Sequence, residues 1–261
     1  MQPMTAPFDL TGQAVLVTGG NSGIGLGMSR ALVRAGADVA IWGTNEQKNA
    51  DAGAELEALG GAGTVVSLRC DVGDEEEVDR VFAATVEALG KVDTCVANAG
   101  VGGGGAASFM EMTLDQWRAV MRVNSEGAFF TLRAAARHLV ERADGGGLVG
   151  VASLAAIEGQ ARGQGYAATK GGMISMLKAL AVELARYGVR ANTILPGWID
   201  TPMAAPALHW DRFRDKVLPR VPVRRWGEPD DFGPIAVYLA SPATGYHTGD
   251  TFVIDGGYSI F

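Results

Sequence analysis

Along the chain, short continuous apolar runs alternate with longer stretches whose apolar residues recur at helical spacing. The runs predict strands at Ala14–Gly19, Asp38–Gly43, Thr64–Asp71, Val92–Gly100, Gly147–Ser153, Val189–Gly197 and Thr251–Gly257. The amphipathic stretches predict helices at Ile24–Ala35, Glu46–Leu59, Glu75–Leu89, Leu114–Glu141, Tyr166–Tyr187 and Pro229–Ala240, with a glycine loop before the long one. Strands that are apolar throughout must be covered on both faces, and helices in the connections of a parallel sheet do this. Right-handed crossovers then predict one α/β domain over residues 1–261, a doubly wound sheet of seven strands. No linker or low-complexity tract divides it.

In such a sheet, ligands bind beyond the carboxyl ends of the strands, where the strand order reverses. The 37 glycines cluster at strand-to-helix junctions, and the junctions at Thr18–Gly25, Gly43–Asn45, Cys70–Val72, Asn98–Gly100, Ser153 and Pro196–Gly197 all fall on that edge. The first, "TGGNSGIG", follows a buried strand and opens a helix. Glycines allow a sharp turn and a close backbone approach, and the helix N-terminus offers N–H donors to a pyrophosphate. Gly19, Gly23 and Gly25 give the spacing G-x-x-x-G-x-G, which differs from the usual G-x-G-x-x-G dinucleotide fingerprint.

Composition removes other function classes. A formal net charge of −7 and no basic run argue against nucleic acid as a partner. No apolar stretch is long enough to span a bilayer, and Met1–Leu10 lacks the pattern of a signal peptide, so a cytoplasmic location is expected. Three scattered histidines and two cysteines, Cys70 and Cys95, show no metal-ligand spacing, so no metal site is expected.

The stretch "YAATK" places Tyr166 one helical turn before Lys170. An ammonium beside a phenol favours the phenolate and lowers a pKa that is ordinarily near about 10. Together with the glycine turn, "ANAG" (Ala97–Gly100), Asn124, Ser153 and "PG" (Pro196–Gly197), this stretch resembles the short-chain dehydrogenase/reductase family over about Leu10–Gly257. It is similar to the single-domain branch, and Ala97 departs from the family's more frequent asparagine. The resemblance implies a Rossmann-type fold and strand order 3-2-1-4-5-6-7. It puts the strands of Cys70 and Cys95 about 14 Å apart, too far for a disulfide.

It also implies a catalytic tetrad of Asn124, Ser153, Tyr166 and Lys170. Tyr166 would pass a proton to or from the substrate oxygen, and Ser153 would hold that oxygen. Lys170, with the positive nicotinamide of an oxidised cofactor nearby, would lower the tyrosine's pKa, and it would also bind the nicotinamide ribose. Asn124 would hold a water linking Lys170 to solvent. Cofactor contacts would come from Gly19, Asn21, Ser22, Gly23, Ile24 and Gly25 at the pyrophosphate. Asp71 and Val72 would border the adenine, and Asn98, Ala99 and Gly100 its ribose. Tyr166, Lys170, Pro196, Gly197, Ile199 and Thr201 would sit at the nicotinamide end.

An acid at the end of the second strand selects NAD, and a following arginine selects NADP. Gly43, Thr44 and Asn45 stand there instead, with Lys48 a turn away. The missing carboxylate favours NADP(H) over NAD(H), and an aspartate at 43 is expected to move the choice toward NAD(H). A small-residue stripe, Ala168, Gly172, Ser175 and Ala179, fits the family's habit of forming homodimers or homotetramers. The apolar, proline-interrupted segment Trp198–Leu218 reads as a substrate lid. The substrate would be a small ketone or secondary alcohol, with 3-oxoacyl compounds and sugars both open. A nucleotide-binding regulator or scaffold that has lost the chemistry is the rival reading.

Overall fold

The structure, a computed structural model, describes residues 8–102 and 108–261; the expected glycine loop after Gly100 lies partly outside them. Strand β1 (Ala14–Thr18) leads into α1 (Gly23–Arg34), then β2 (Asp38–Gly43), α2 (Glu46–Ala58), β3 (Val65–Arg69) and α3 (Glu75–Leu89). Next come β4 (Thr94–Ala97), α4 (Leu114–Met121), α5 (Gly127–Arg142), β5 (Gly146–Val151), α6 (Gln164–Leu184) and β6 (Val189–Pro196). Short helices α7 (Ala205–Leu208) and α8 (Asp211–Val217), then α9 (Gly233–Ala240) and β7 (Thr251–Ile254), complete the chain. All seven strands pair in parallel, in the order β3-β2-β1-β4-β5-β6-β7.

The continuous apolar runs are the central strands, buried on both sides. On β1, Leu16 points into one core with Trp42, Phe82, Leu132 and Leu177, while Val15 and Val17 point into the other with Met28, Leu32 and Phe232. Each such side chain contributes roughly 1.5–3 kcal/mol when fully buried. The helix starts follow local chemistry: the Asn45 side chain accepts from the Lys48 N–H, Asp74 from Glu77, and Thr113 from Gln116. Cys70 and Cys95 are both free and buried, on strands separated by β2 and β1. Among the described residues, no helix is long and apolar enough to cross a membrane.

One expected element is not continuous. The helix anticipated over Leu114–Glu141 is divided by a π-helical turn at Arg122–Glu126, which contains the buried Asn124. One residue more per turn shifts the register, and the Asn124 side chain then pairs with the Val101 backbone. Directly after it, Gly127 lets α5 approach Val72, whose Cγ2 lies 2.7 Å from where a Cβ would stand.

The amino-terminal edge of the sheet is held by Asp93. Its carboxylate accepts from the Ala14 N–H at 2.8 Å, and pairs with Arg142 at 2.8 Å and Lys91 at 2.9 Å. Removing it would leave a mostly buried guanidinium and a backbone N–H without their partner. Asp93→Ala is therefore expected to destabilise the fold by about 3 kcal/mol. Urea unfolding would show this as a lower midpoint with an unchanged slope.

Candidate active site

The carboxyl ends of the strands border one cavity of about 870 Å³. Its walls carry Gly19, Asn21, Ser22, Gly23 and Ile24 from the glycine turn, and Gly43, Thr44 and Asn45 after β2. Asp71, Val72, Asn98, Ala99 and Gly100 follow β3 and β4. Ser153, Tyr166, Lys170, Pro196, Gly197, Ile199 and Thr201 complete the set. Two expected site residues do not line it. Gly25 lies beneath the turn, where a Cβ would collide with the Gly19 carbonyl and the Asn98 amide. Asn124 is 1% exposed behind the wall.

The glycine turn is built to present backbone. Gly19 and Gly23 have φ of 63° and 51°, left-handed values that favour glycine. Asn98 braces the turn, its Nδ2 donating to the Thr18 and Gly19 carbonyls at 2.8 and 3.2 Å. Its side-chain N–H groups thus hold the loop. The N-terminus of α1 has neither a side-chain cap nor an acidic residue in its first turn. Its N–H groups suit an anion, so the turn fits the pyrophosphate of a dinucleotide. On the wall after β3, burial acts to raise the Asp71 pKa. The Gly73 N–H and the Arg122 guanidinium, 3.0 Å away, outweigh it and hold the carboxyl below its ordinary value.

At the other end, Lys170 is 4% exposed, and its Nζ donates to the Val151 carbonyl at 2.7 Å. Burial alone pushes its pKa down to about 8. Burial raises the Tyr166 pKa above its ordinary value, more than the nearby Ser153 hydroxyl lowers it. The expected lowering of the tyrosine's pKa rests on Lys170 together with the positive nicotinamide of an oxidised cofactor, and in the chain alone burial outweighs it. The ammonium sits 5.6 Å from the ring centroid, and desolvation of both groups is the larger effect.

The Asn124 side chain is held by the Val101 backbone and Thr169. Its Oδ1 accepts from the Val101 N–H at 2.8 Å; its Nδ2 donates to the Val101 carbonyl at 3.0 Å and to Thr169 at 3.3 Å. The amide thus has its partners, and it fixes the backbone beside Gly100 and Lys170.

Gly43 adds a condition to the expected effect of an aspartate there. A Cβ there would run into the amides of Asn21 and Asn49, which bond each other at 2.7 Å. An aspartate at 43 must first displace that pair, so it cannot simply add a carboxylate beside a ribose. Sequence reading also missed Arg122 and Tyr258, which line the cavity, and Asn49 beneath it. Tyr258 carries no motif signal. Asn49 does carry one, as a polar residue among Ala52, Gly53 and Leu56 on the buried face of α2.

The profile of the family described as enoyl-(acyl carrier protein) reductase matches residues 19–259. Among solved structures, a short-chain type dehydrogenase/reductase from Mycobacterium marinum superposes with a TM-score of 0.90 at 32% identity, covering 97% of this chain and 98% of that one. The chain belongs to the short-chain dehydrogenase/reductase family. As a short-chain dehydrogenase/reductase, it is an NAD(P)-dependent oxidoreductase. An L-rhamnose 1-dehydrogenase (NAD(P)(+)) of Azotobacter vinelandii is 37% identical over 256 residues, 96% of this chain and 98% of the relative. A gluconate 5-dehydrogenase from Burkholderia cenocepacia, solved with NADP and tartrate, has a TM-score of 0.91 at 32% identity over 98% of both chains. These short-chain dehydrogenase/reductase relatives are enzymes, so the non-catalytic reading finds no support. Among the described residues, no cluster could hold a metal ion.

The low Lys170 pKa has a stability consequence. A lysine whose folded pKa is depressed destabilises the fold fully below that pKa, and the cost disappears as pH rises past the unfolded value. Between about pH 8 and about pH 10.5, wild type should gain on the order of 3 kcal/mol relative to Lys170→Met. Denaturant unfolding of both proteins across this range measures the difference; a gap that stays constant with pH would contradict the buried, depressed ammonium.

Proposed function

We propose that the protein interconverts a secondary alcohol and a ketone on a small polyhydroxylated compound, with Tyr166 as general acid and base. The observation that carries this reading is that Ser153, Tyr166 and Lys170 line the same cavity as the uncapped N-terminus of α1. The bound nicotinamide supplies or takes the hydride and, when oxidised, brings a positive ring to the site. Ser153 holds the substrate oxygen, and Tyr166 gives that oxygen its proton in reduction or removes it in oxidation. Lys170 binds the ribose hydroxyls and adds positive charge beside the phenol. Asn124 acts one step back, holding Val101 in place, and a proton path from Lys170 to solvent runs past the backbone of its π turn.

The substrate class follows from the open end of the cavity. Glu158, Gln160 and Arg162 line it, and so does Trp198, whose buried indole N–H has no partner in the protein. These groups suit hydroxyls better than an acyl chain, and relatives named for L-rhamnose and gluconate support the same choice. The lid is Trp198–Leu218. Ile199 pins its base through a bridge to Gly227, and the Met203 side chain reaches across to Gly102. NADP(H) is modestly preferred, because no carboxylate stands after β2 to repel a 2′-phosphate and Lys48 lines that end. The small-residue stripe on α6 is exposed in the single chain together with Val182, which suits a homodimer or homotetramer.

A turnover screen of sugars, aldonates and 3-oxoacyl thioesters with both cofactors tests the activity. With the substrate it identifies, Tyr166→Phe should lower kcat by at least about a hundredfold while the cofactor Kd changes less than about twofold. Lys170→Ala should damage both. Retention of most of kcat in Tyr166→Phe would remove the tyrosine from the role.

A further inference from the structure

We infer that Asn49, which lines no part of the cavity, is a positioning residue for the adenosine ribose: it fixes the amide of Asn21 so that a neutral acceptor meets the ribose 2′-hydroxyl. This inference rests on the dinucleotide reading above. Asn49 is 3% exposed, on the face of α2 turned to the sheet. A buried amide requires partners for both ends. Its Nδ2 donates to the Gly43 carbonyl at 2.9 Å and the Leu68 carbonyl at 3.1 Å. Both of those groups can only accept, so the orientation of the Asn49 amide has no alternative.

Its Oδ1 is therefore left for Asn21, and an oxygen there can only accept. Asn21 must present its own Nδ2, as it does at 2.7 Å. The chain of constraints runs from two strand carbonyls through Asn49 to the cavity wall. Asn21 keeps its carbonyl oxygen and one N–H for a ligand. Its amide fills the space in which a side chain at position 43 would begin. The residue at the end of the second strand is the one that reaches the ribose 2′ position in this sheet type. A held amide in that space accepts from a 2′-hydroxyl, as a carboxylate would, without the negative charge that repels a 2′-phosphate. The pair thus replaces both the acid and the arginine that such sheets use to choose a cofactor.

The test uses calorimetric binding of two probes to the full-length protein: NAD, and NAD lacking the 2′-hydroxyl of its adenosine ribose. One hydrogen bond of about 1 kcal/mol makes the deoxy probe about fivefold weaker in wild type. That ratio should fall to about one in Asn21→Ala and in Asn49→Leu, although Asn49 would touch neither probe. Because the ratio is internal to each protein, a general loosening of the fold cancels. Asn49→Ala, which adds no bulk beneath the sheet and also removes the acceptor for Asn21, should bring the ratio to about one as well and serves where Asn49→Leu does not fold. A wild-type ratio near one, or a fivefold ratio that survives substitution of Asn49, would overturn the inference. Failure of wild type to bind NAD or NADP at all would remove the dinucleotide reading along with it.

Discussion

The site is organised around a lysine ammonium almost completely removed from water. Burial pushes the Lys170 pKa down to about 8, so the fold maintains a group that is near its titration point in the range where proteins work. What keeps it there is the Val151 carbonyl at the end of β5, with Gly100 and the Asn124 amide packed beside it. Tyr166 depends on the same arrangement, one turn earlier on α6. Its phenol is also desolvated, and its pKa is raised. Two groups whose charged forms are both disfavoured do not form an active acid–base pair by themselves. In the proposed mechanism, a positive nicotinamide ring beside them would favour the phenolate directly in the same low-dielectric pocket. Acid–base competence would then come from Lys170 and the oxidised cofactor together.

The two ends of the strands divide the physical work. At the amino-terminal edge, Asp93 gathers Ala14, Lys91 and Arg142, and every group there has a partner. At the carboxyl edge, the N–H groups that open α1 have no side-chain cap and Asn21 uses only its Nδ2 within the chain. The carboxyl edge can leave such groups unpaired because the two apolar cores and the Asp93 network supply the stability that it lacks.

Much of this was legible in the sequence. Six of the seven strands lie within the ranges that their apolar runs predicted, because continuous apolar runs leave few polar positions to confuse the pattern; β5 starts one residue early, at Gly146. The cavity residues were legible because the carboxyl edge of a doubly wound sheet gathers all the βα junctions. The break in the long helix was not. A π turn differs from its neighbours by one residue in register, and here the bonds to Val101, 23 residues away in sequence, accompany it. The side-chain roles of Asn98 and Asn124 were likewise set by tertiary partners that no spacing reveals. Asn49 was visible in principle, as an amide on an apolar helical face, but its meaning required the carbonyls of Gly43 and Leu68.

The most direct test of this account is the ionisation of Tyr166 itself. The phenolate absorbance of wild type minus that of Tyr166→Phe, titrated with pH, isolates this one tyrosine. Without cofactor, it should ionise above the ordinary tyrosine value of about 10; with saturating oxidised cofactor, it should ionise at least about one unit lower than without it. A tyrosine that already ionises below about 10 in the free protein, or one that cofactor leaves unmoved, would contradict the claim that the loaded site creates the acid–base.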